Sequence, residues 1–240
     1  MVLSRKTPVW PPVRPGLQVV RGICMCVSTI CFVMGARTLN FADAIAILYA
    51  YPFLLTLAAP IFLGETVRRA VWIGVAAGFV GVLIVMRPGF DGIDVDALWV
   101  LGAACSVTTM LILNRKLGAV TDPLVTSCYG AGIAMVLTAP GMAMHWQPID
   151  LPTLGMLVLL GLTGAISQTT IVMAFARTPA SDLAVFTYSE IVSAVIIGFL
   201  LFGTWPDGWS WVGISLIVIS GAAVARAMQR PNTPRRVPKI

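Results

Sequence analysis

Eight stretches of this chain contain no Asp, Glu, Lys or Arg: 22–36, 44–64, 70–86, 97–114, 123–149, 151–176, 191–206 and 208–225. A helix crosses the hydrocarbon core of a bilayer with roughly 20 mostly apolar residues, about 17 at the least. Charged residues at the boundaries reach the interface along their own apolar stems, which lengthens the shorter stretches. The pattern predicts eight spans: A 17–36, B 41–63, C 70–87, D 97–115, E 124–146, F 153–177, G 182–203 and H 209–228. The connections are ten residues or fewer, too short for a soluble domain. The expected fold class is an all-α polytopic membrane protein with eight transmembrane helices. Composition agrees, since only 11% of the residues are charged, against about 25% in soluble domains.

The net charge of +6 would suit a nucleic-acid partner, but its placement argues against one. With the N-terminus in the cytoplasm, the inner segments hold Arg5, Lys6, Arg14, Arg21, Arg68, Arg69, Arg115, Lys116, Arg177, Arg226, Arg230, Arg235, Arg236 and Lys239. The outer segments hold Arg37 and Arg87 alone. Cytoplasmic loops carry the excess of Lys and Arg in membrane proteins, so both termini are expected in the cytoplasm. Trp99, Trp146, Trp205, Trp209 and Trp211 fall at the outer interface, as an aromatic belt does. No small-residue cleavage site follows the basic, Pro-rich residues 1–16, so no cleaved signal peptide is expected. The five cysteines lie in spans A, D and E without a CxxC pair and read as small apolar residues.

A second pattern runs at a constant offset of 139 residues. Asp43 recurs as Asp182, Tyr49 as Tyr188, Gly64 as Gly203, Trp72 as Trp211 and Gly74 as Gly213. Span B is the second crossing and span G the seventh, so the related elements enter the membrane from opposite sides. This is an inverted-topology repeat, a plan shared by several transporter architectures. Spans D to H make a complete five-helix unit, and A to C match its last three. A five-helix repeat implies ten helices. F begins 56 residues after D, so about that many residues, two helices, are expected ahead of span A. The organisation expected is a basic tail (1–16), a partial first repeat (17–88), a complete second repeat (97–228) and a second basic tail (229–240), with both tails cytoplasmic.

The segments RG (21–22), ADAIAILYAYPFLLTLAAPIFLGE (42–65), GVAAGFVGVLIVMRPG (74–89), GLTGAISQTTIVMAFARTPAS (161–181), YSEIVSAVIIGFLLFG (188–203) and WVGISLIVISG (211–221) carry a family likeness. The chain resembles the drug/metabolite transporter superfamily, specifically its EamA-type bacterial inner-membrane carriers. The likeness is nearest to members that take up riboflavin or S-adenosylmethionine. It implies ten helices in two inverted repeats, a small-molecule substrate held between them, and a multi-pass protein of the cell inner membrane. Two departures stand out. The helices expected ahead of span A line part of the cavity in the family. The Gly-Glu that closes span B at Gly64-Glu65 is Gly203-Thr204 at the end of span G.

Glu190 is the residue that most asks for a role. It lies eight residues into span G, roughly 12 Å deep at 1.5 Å per residue, near the centre of a core about 30 Å thick. A carboxylate there costs about 2.5–3.5 kcal/mol on insertion scales. It is a substrate ligand, a proton carrier or the partner of a cationic solute, or else a protonated acid bonding helices together. Tyr188 precedes it, and the repeat puts Tyr49 and Tyr51 at the same depth from the other side, as rings for an aromatic solute or as core residues. Gln168, with Ser167, Thr169 and Thr170, lines the cavity or bonds between helices. Pro52 and Pro60 are expected to kink span B. Asp43 and Asp182 are expected to cap helices, and Gly74-x-x-x-Gly78 to pack helices closely, with a homodimer face as one use.

Three function classes follow. The first is a secondary carrier of a small metabolite. The second is a non-transporting remnant or assembly subunit, which the two expected helices bear on. The third, a membrane enzyme, is disfavoured: the lone histidine, His145, lies at the outer end of span E, and no HExxH or clustered Asp/His set accompanies it. No metal or cofactor is expected.

Overall fold

The computed structural model describes residues 14–37, 39, 41–86, 96–144, 146, 148–202 and 208–229. Residues 1–13 and 230–240 of the tails, and Arg87, His145, Gly203, Thr204 and Trp205, lie outside the described residues. Among the described residues, ten α-helices follow in order: α1 Pro15–Gly35, α2 Phe41–Leu48, α3 Tyr51–Leu63, α4 Arg69–Met86, α5 Asp96–Gly118, α6 Pro123–Met144, α7 Leu151–Arg177, α8 Ala180–Ala184, α9 Ser189–Phe202 and α10 Gly208–Gln229. A 3₁₀ turn, Phe186–Tyr188, joins α8 to α9. Among the described residues, six helical segments are long and apolar enough to cross a membrane, and α4 is a shorter apolar helix. The chain is an all-α polytopic membrane protein.

Two of the eight spans are not continuous. Span B divides into α2 and α3, and span G into α8, the 3₁₀ turn and α9. In span B the cause is Pro52, which has no N–H for the Leu48 carbonyl and whose ring crowds it. The chain tightens there, with Ala50 N bonding Ile47 O at 3.0 Å. Pro60 lies inside α3 without ending it, so of the two prolines expected to kink the span, Pro52 breaks it. Span G has no proline. Instead the Thr187 hydroxyl donates to Ala184 O at 2.6 Å and the Ser189 hydroxyl to Phe186 O at 2.7 Å. Such local bonds compete with the helical ladder.

The repeat is visible in the packing of α4 against α10, two elements related by the 139-residue offset. A methyl group added at Gly213 would meet the Gly81 carbonyl at 2.7 Å and Val85 Cγ2 at 2.6 Å. One added at Gly74 would meet Val224 Cγ2, with the Ser220 carbonyl 3.6 Å away. Gly74 corresponds to Gly213, Gly81 to Ser220 and Val85 to Val224, so the same contact is made twice, once from each repeat. Gly74 and Gly78 thus serve packing inside the subunit, and that face is not free for a second copy.

Elsewhere α1 lies along α5 and against α6. Arg21, fully buried, ties the three together: its guanidinium donates to Asn114 Oδ1 and, at 3.2 Å, to Thr126 O. Helix α7 is exposed from 151 to 167 and buries Val172 and Phe175 near its end. The capping expectation needs correction. Asp43 and Asp182 are each the third residue of their helices, α2 and α8, rather than the caps. The backbone of α8 is capped from the other repeat: the Glu65 carboxylate accepts from Ala180 N at 3.2 Å and Ser181 N at 3.3 Å.

The double glycine contact is testable. Gly213→Val is expected to destabilise the fold by about 1–3 kcal/mol through overpacking. Gly221→Ala, whose methyl would meet nothing within 4 Å, should stay within about 0.5 kcal/mol. Unfolding of the purified chain in mixed micelles distinguishes the two; equal stabilities would contradict close α4–α10 packing.

Candidate functional site

The two helix breaks stand at equivalent positions of the repeat, and they bring four of the five sequence-expected residues together. The Tyr49 and Tyr188 rings stack with centroids 6.4 Å apart and planes 28° apart. Tyr51 follows at 6.0 Å from Tyr49, tilted by 35°. The stacked pair are repeat equivalents, so their contact lies where the two halves meet. Gly78 on α4 makes room for Tyr188, because a methyl there would meet the ring Cε2 at 2.8 Å.

The members differ in accessibility. Tyr188 is fully buried and Tyr49 nearly so at 8% exposed, while Tyr51 is half-buried and Glu190 exposed. The Tyr49 phenol lies near the Glu190 carboxyl, and the Tyr51 phenol near the Thr187 side chain. Glu190 is the second residue of α9, where the positive end of the helix dipole favours negative charge. The Thr108 hydroxyl lies 2.9 Å from Ala104 O on its own helix and 3.3 Å from Tyr51 O across the helix contact. A reachable carboxyl beside a half-buried aromatic ring can hold a cation, a proton or a hydrogen-bond donor on a planar solute.

Gln168 stands apart from this group. It lines a cleft of about 600 Å³ between α1, α6 and α7, with Met25, Leu124, Ser127, Cys128 and Gly164. Its amide nitrogen is buried and without a partner among the described residues. Thr169 and Thr170 spend their hydroxyls on their own helix, on Ala165 O and Ile166 O. Sequence reasoning missed Glu65 and Arg115 as partners. Both read as boundary charges, and the only signal was that Glu65 closes span B where Thr204 closes span G.

Broken helices in an all-helical apolar bundle, with repeat-equivalent contacts between α4 and α10, are features of polytopic membrane proteins built from repeats. The chain belongs to the EamA-like transporter family, which matches residues 3–87 and 96–226. It is similar to a riboflavin transporter of Rhizobium johnstonii, 28% identical over 92% of this chain and 74% of that protein. It is also similar to an S-adenosylmethionine uptake transporter of Rickettsia bellii, 25% identical over 85% of this chain and 70% of the relative. A solved crystal structure shares the fold with a TM-score of 0.74 at 20% identity, covering 92% of this chain and 79% of that one.

The buried Tyr188 hydroxyl has no partner among the described residues. Tyr188→Phe is therefore expected to leave stability unchanged or raise it by up to about 1 kcal/mol. A loss above about 1 kcal/mol in the same unfolding assay would show that the hydroxyl is bonded in the folded protein.

Proposed function

We propose that this protein is a secondary transporter that moves a small metabolite across the bacterial inner membrane by alternating access. Its two repeats, 17–88 and 97–228, rock about the stacked Tyr49–Tyr188 pair, and the basic tails 1–16 and 229–240 lie in the cytoplasm. The observation that carries this reading is the matched break in spans B and G, which sets Glu190, Tyr51, Tyr49 and Tyr188 at one level between the repeats. Helix breaks inside a membrane bundle are tolerated where they are buried in protein or line a cavity, and transporters place substrate sites there.

Riboflavin-like and S-adenosylmethionine-like solutes both suit the group. Each offers a planar heteroaromatic ring for Tyr51, and the second adds a cationic sulfonium for Glu190. Gln168, in its own cleft, is a second polar contact on the route. Without a nucleotide-binding motif, an ion gradient or exchange drives the movement. By the repeat, α7 corresponds to α1, and a helix pair equivalent to α5 and α6 would cover the face of α7 that the described helices leave bare. A homodimer, if formed, uses a face other than Gly74–Gly78.

Uptake of labelled riboflavin and S-adenosylmethionine into vesicles containing the protein tests the proposal, with protein-free vesicles as the baseline. Glu190→Gln is expected to reduce uptake of the cationic S-adenosylmethionine more than that of riboflavin. Unchanged kinetics with both solutes would leave Glu190 a structural residue.

A further inference from the structure

We propose that Glu65 and Arg115 form an ionic latch that closes the cytoplasmic mouth between the two repeats, and that its release is the inward-opening step. The inference rests on the transport reading above and assigns a gating role to residues outside the solute site.

Glu65 belongs to the first repeat, in the loop between α3 and α4. Everything its carboxylate holds belongs to the second. Arg115 Nε donates to Oε1 at 3.0 Å, Ala180 N to the same oxygen at 3.2 Å, and Ser181 N and Oγ to Oε2 at 3.3 and 3.4 Å. Arg115, near the end of α5, also donates from Nη1 to Phe175 O and Ala176 O at 3.2 and 3.3 Å, the last turn of α7. One carboxylate thus gathers the ends of α5 and α7 and the start of α8. The pair is sheltered, with side chains 12% exposed for Glu65 and 28% for Arg115, so water and salt screen it less than an open surface pair. Bonds with ionised partners are also the stronger kind.

The neighbouring charges join the same seam. Arg68 donates from Nη1 to Ala227 O at 3.0 Å, a second tie from this loop to the second repeat at the end of α10. Asp182 on α8 lies in the fields of both Arg68 and Glu65. Beneath the latch the ends of α5 and α7 touch closely, since a methyl added at Gly118 would meet Ala176 Cα at 2.6 Å. The second-repeat helices therefore move as one body at this end, with Glu65 as their tether to the first repeat.

The inverted repeat makes the latch one-sided. The outer equivalents of Glu65, Ala180 and Ser181 are Thr204, Phe41 and Ala42, which hold no charge. An ionic lock on one face and none at the matching positions of the other biases the resting protein toward closure on the cytoplasmic side. The shift of Gly-Glu to Gly-Thr at the end of span G is then what lets the outer mouth open first.

The test places spin labels, introduced as unnatural amino acids, at Thr66 and Ala119, both exposed and on opposite sides of the latch. The full chain is read in lipid nanodiscs without solute. Glu65→Gln and Arg115→Gln are each expected to lengthen the label distance by roughly 5 Å or more. Arg115→Gln leaves Glu65 on the Ala180 and Ser181 amides, so it separates a latch from a helix cap. Hydrogen exchange at those two amides should rise in Glu65→Gln and stay slow in Arg115→Gln. Exchange that rises while both distances hold makes Glu65 a cap only and overturns the latch, as does no change in either. Longer distances in a chain that moves neither riboflavin nor S-adenosylmethionine would sustain the latch and count against transport of those solutes.

Discussion

A peptide group left unpaired in the hydrocarbon core finds no water to bond, and much of this structure follows from that. The chain forms helices because a helix satisfies its own backbone. Among the described residues it departs from them within the spans at two places, Tyr49–Ala50 and Val185–Tyr188. At the first, the ladder tightens, with Ala50 N on Ile47 O at 3.0 Å. At the second, Thr187 and Ser189 donate to the carbonyls of the preceding turn. The breaks set the direction of the tyrosines, and the tyrosines set where the two repeats meet.

The twofold is kept by contacts that come in pairs. Gly74 against Val224 and Gly213 against Val85 are one interaction made from both ends of the seam between α4 and α10. Stacking of Tyr49 on Tyr188 pairs a residue with its own equivalent. Such contacts hold the repeats together near the centre while leaving their ends free to diverge. The divergence is greatest in charge: the Glu65 end carries Arg68, Arg69 and Arg115, and the opposite end carries a Thr-Trp-Pro segment.

Polar groups inside the bundle divide into two kinds. Arg21, bonded to Asn114 and Thr126, gives up its hydration to fasten α1 against α5 and α6, and it is wholly enclosed. Glu190 keeps an exposed carboxyl, although it lies deeper in its span. The difference reflects neighbours: Arg21 is surrounded by helices on every side, while Glu190 sits in the first turn of α9 beside a half-buried ring. A buried group with fixed partners braces the fold, and a reachable one is free to change partners.

The spans, the tally of loop charges and the 139-residue repeat were all legible in the sequence, because each depends on residue type at a given distance along the chain. Tyr49, Tyr51, Tyr188 and Glu190 were named together for the same reason, since the repeat puts them at one depth. The break in span B was half legible through Pro52. The break in span G was not, because it arises from hydroxyl–carbonyl bonds that any Ser or Thr in a helix can make or decline. Gln168 fell in a separate cleft because depth along a span says nothing about which way a side chain faces. Glu65 reaches partners 50 and 116 residues away, and no local pattern marks such a meeting. Sequence determined what crosses the membrane and in which repeating order. Tertiary structure alone decided which charges are enclosed and which carboxylate joins the two halves, because those outcomes belong to helix–helix contacts rather than to any one helix.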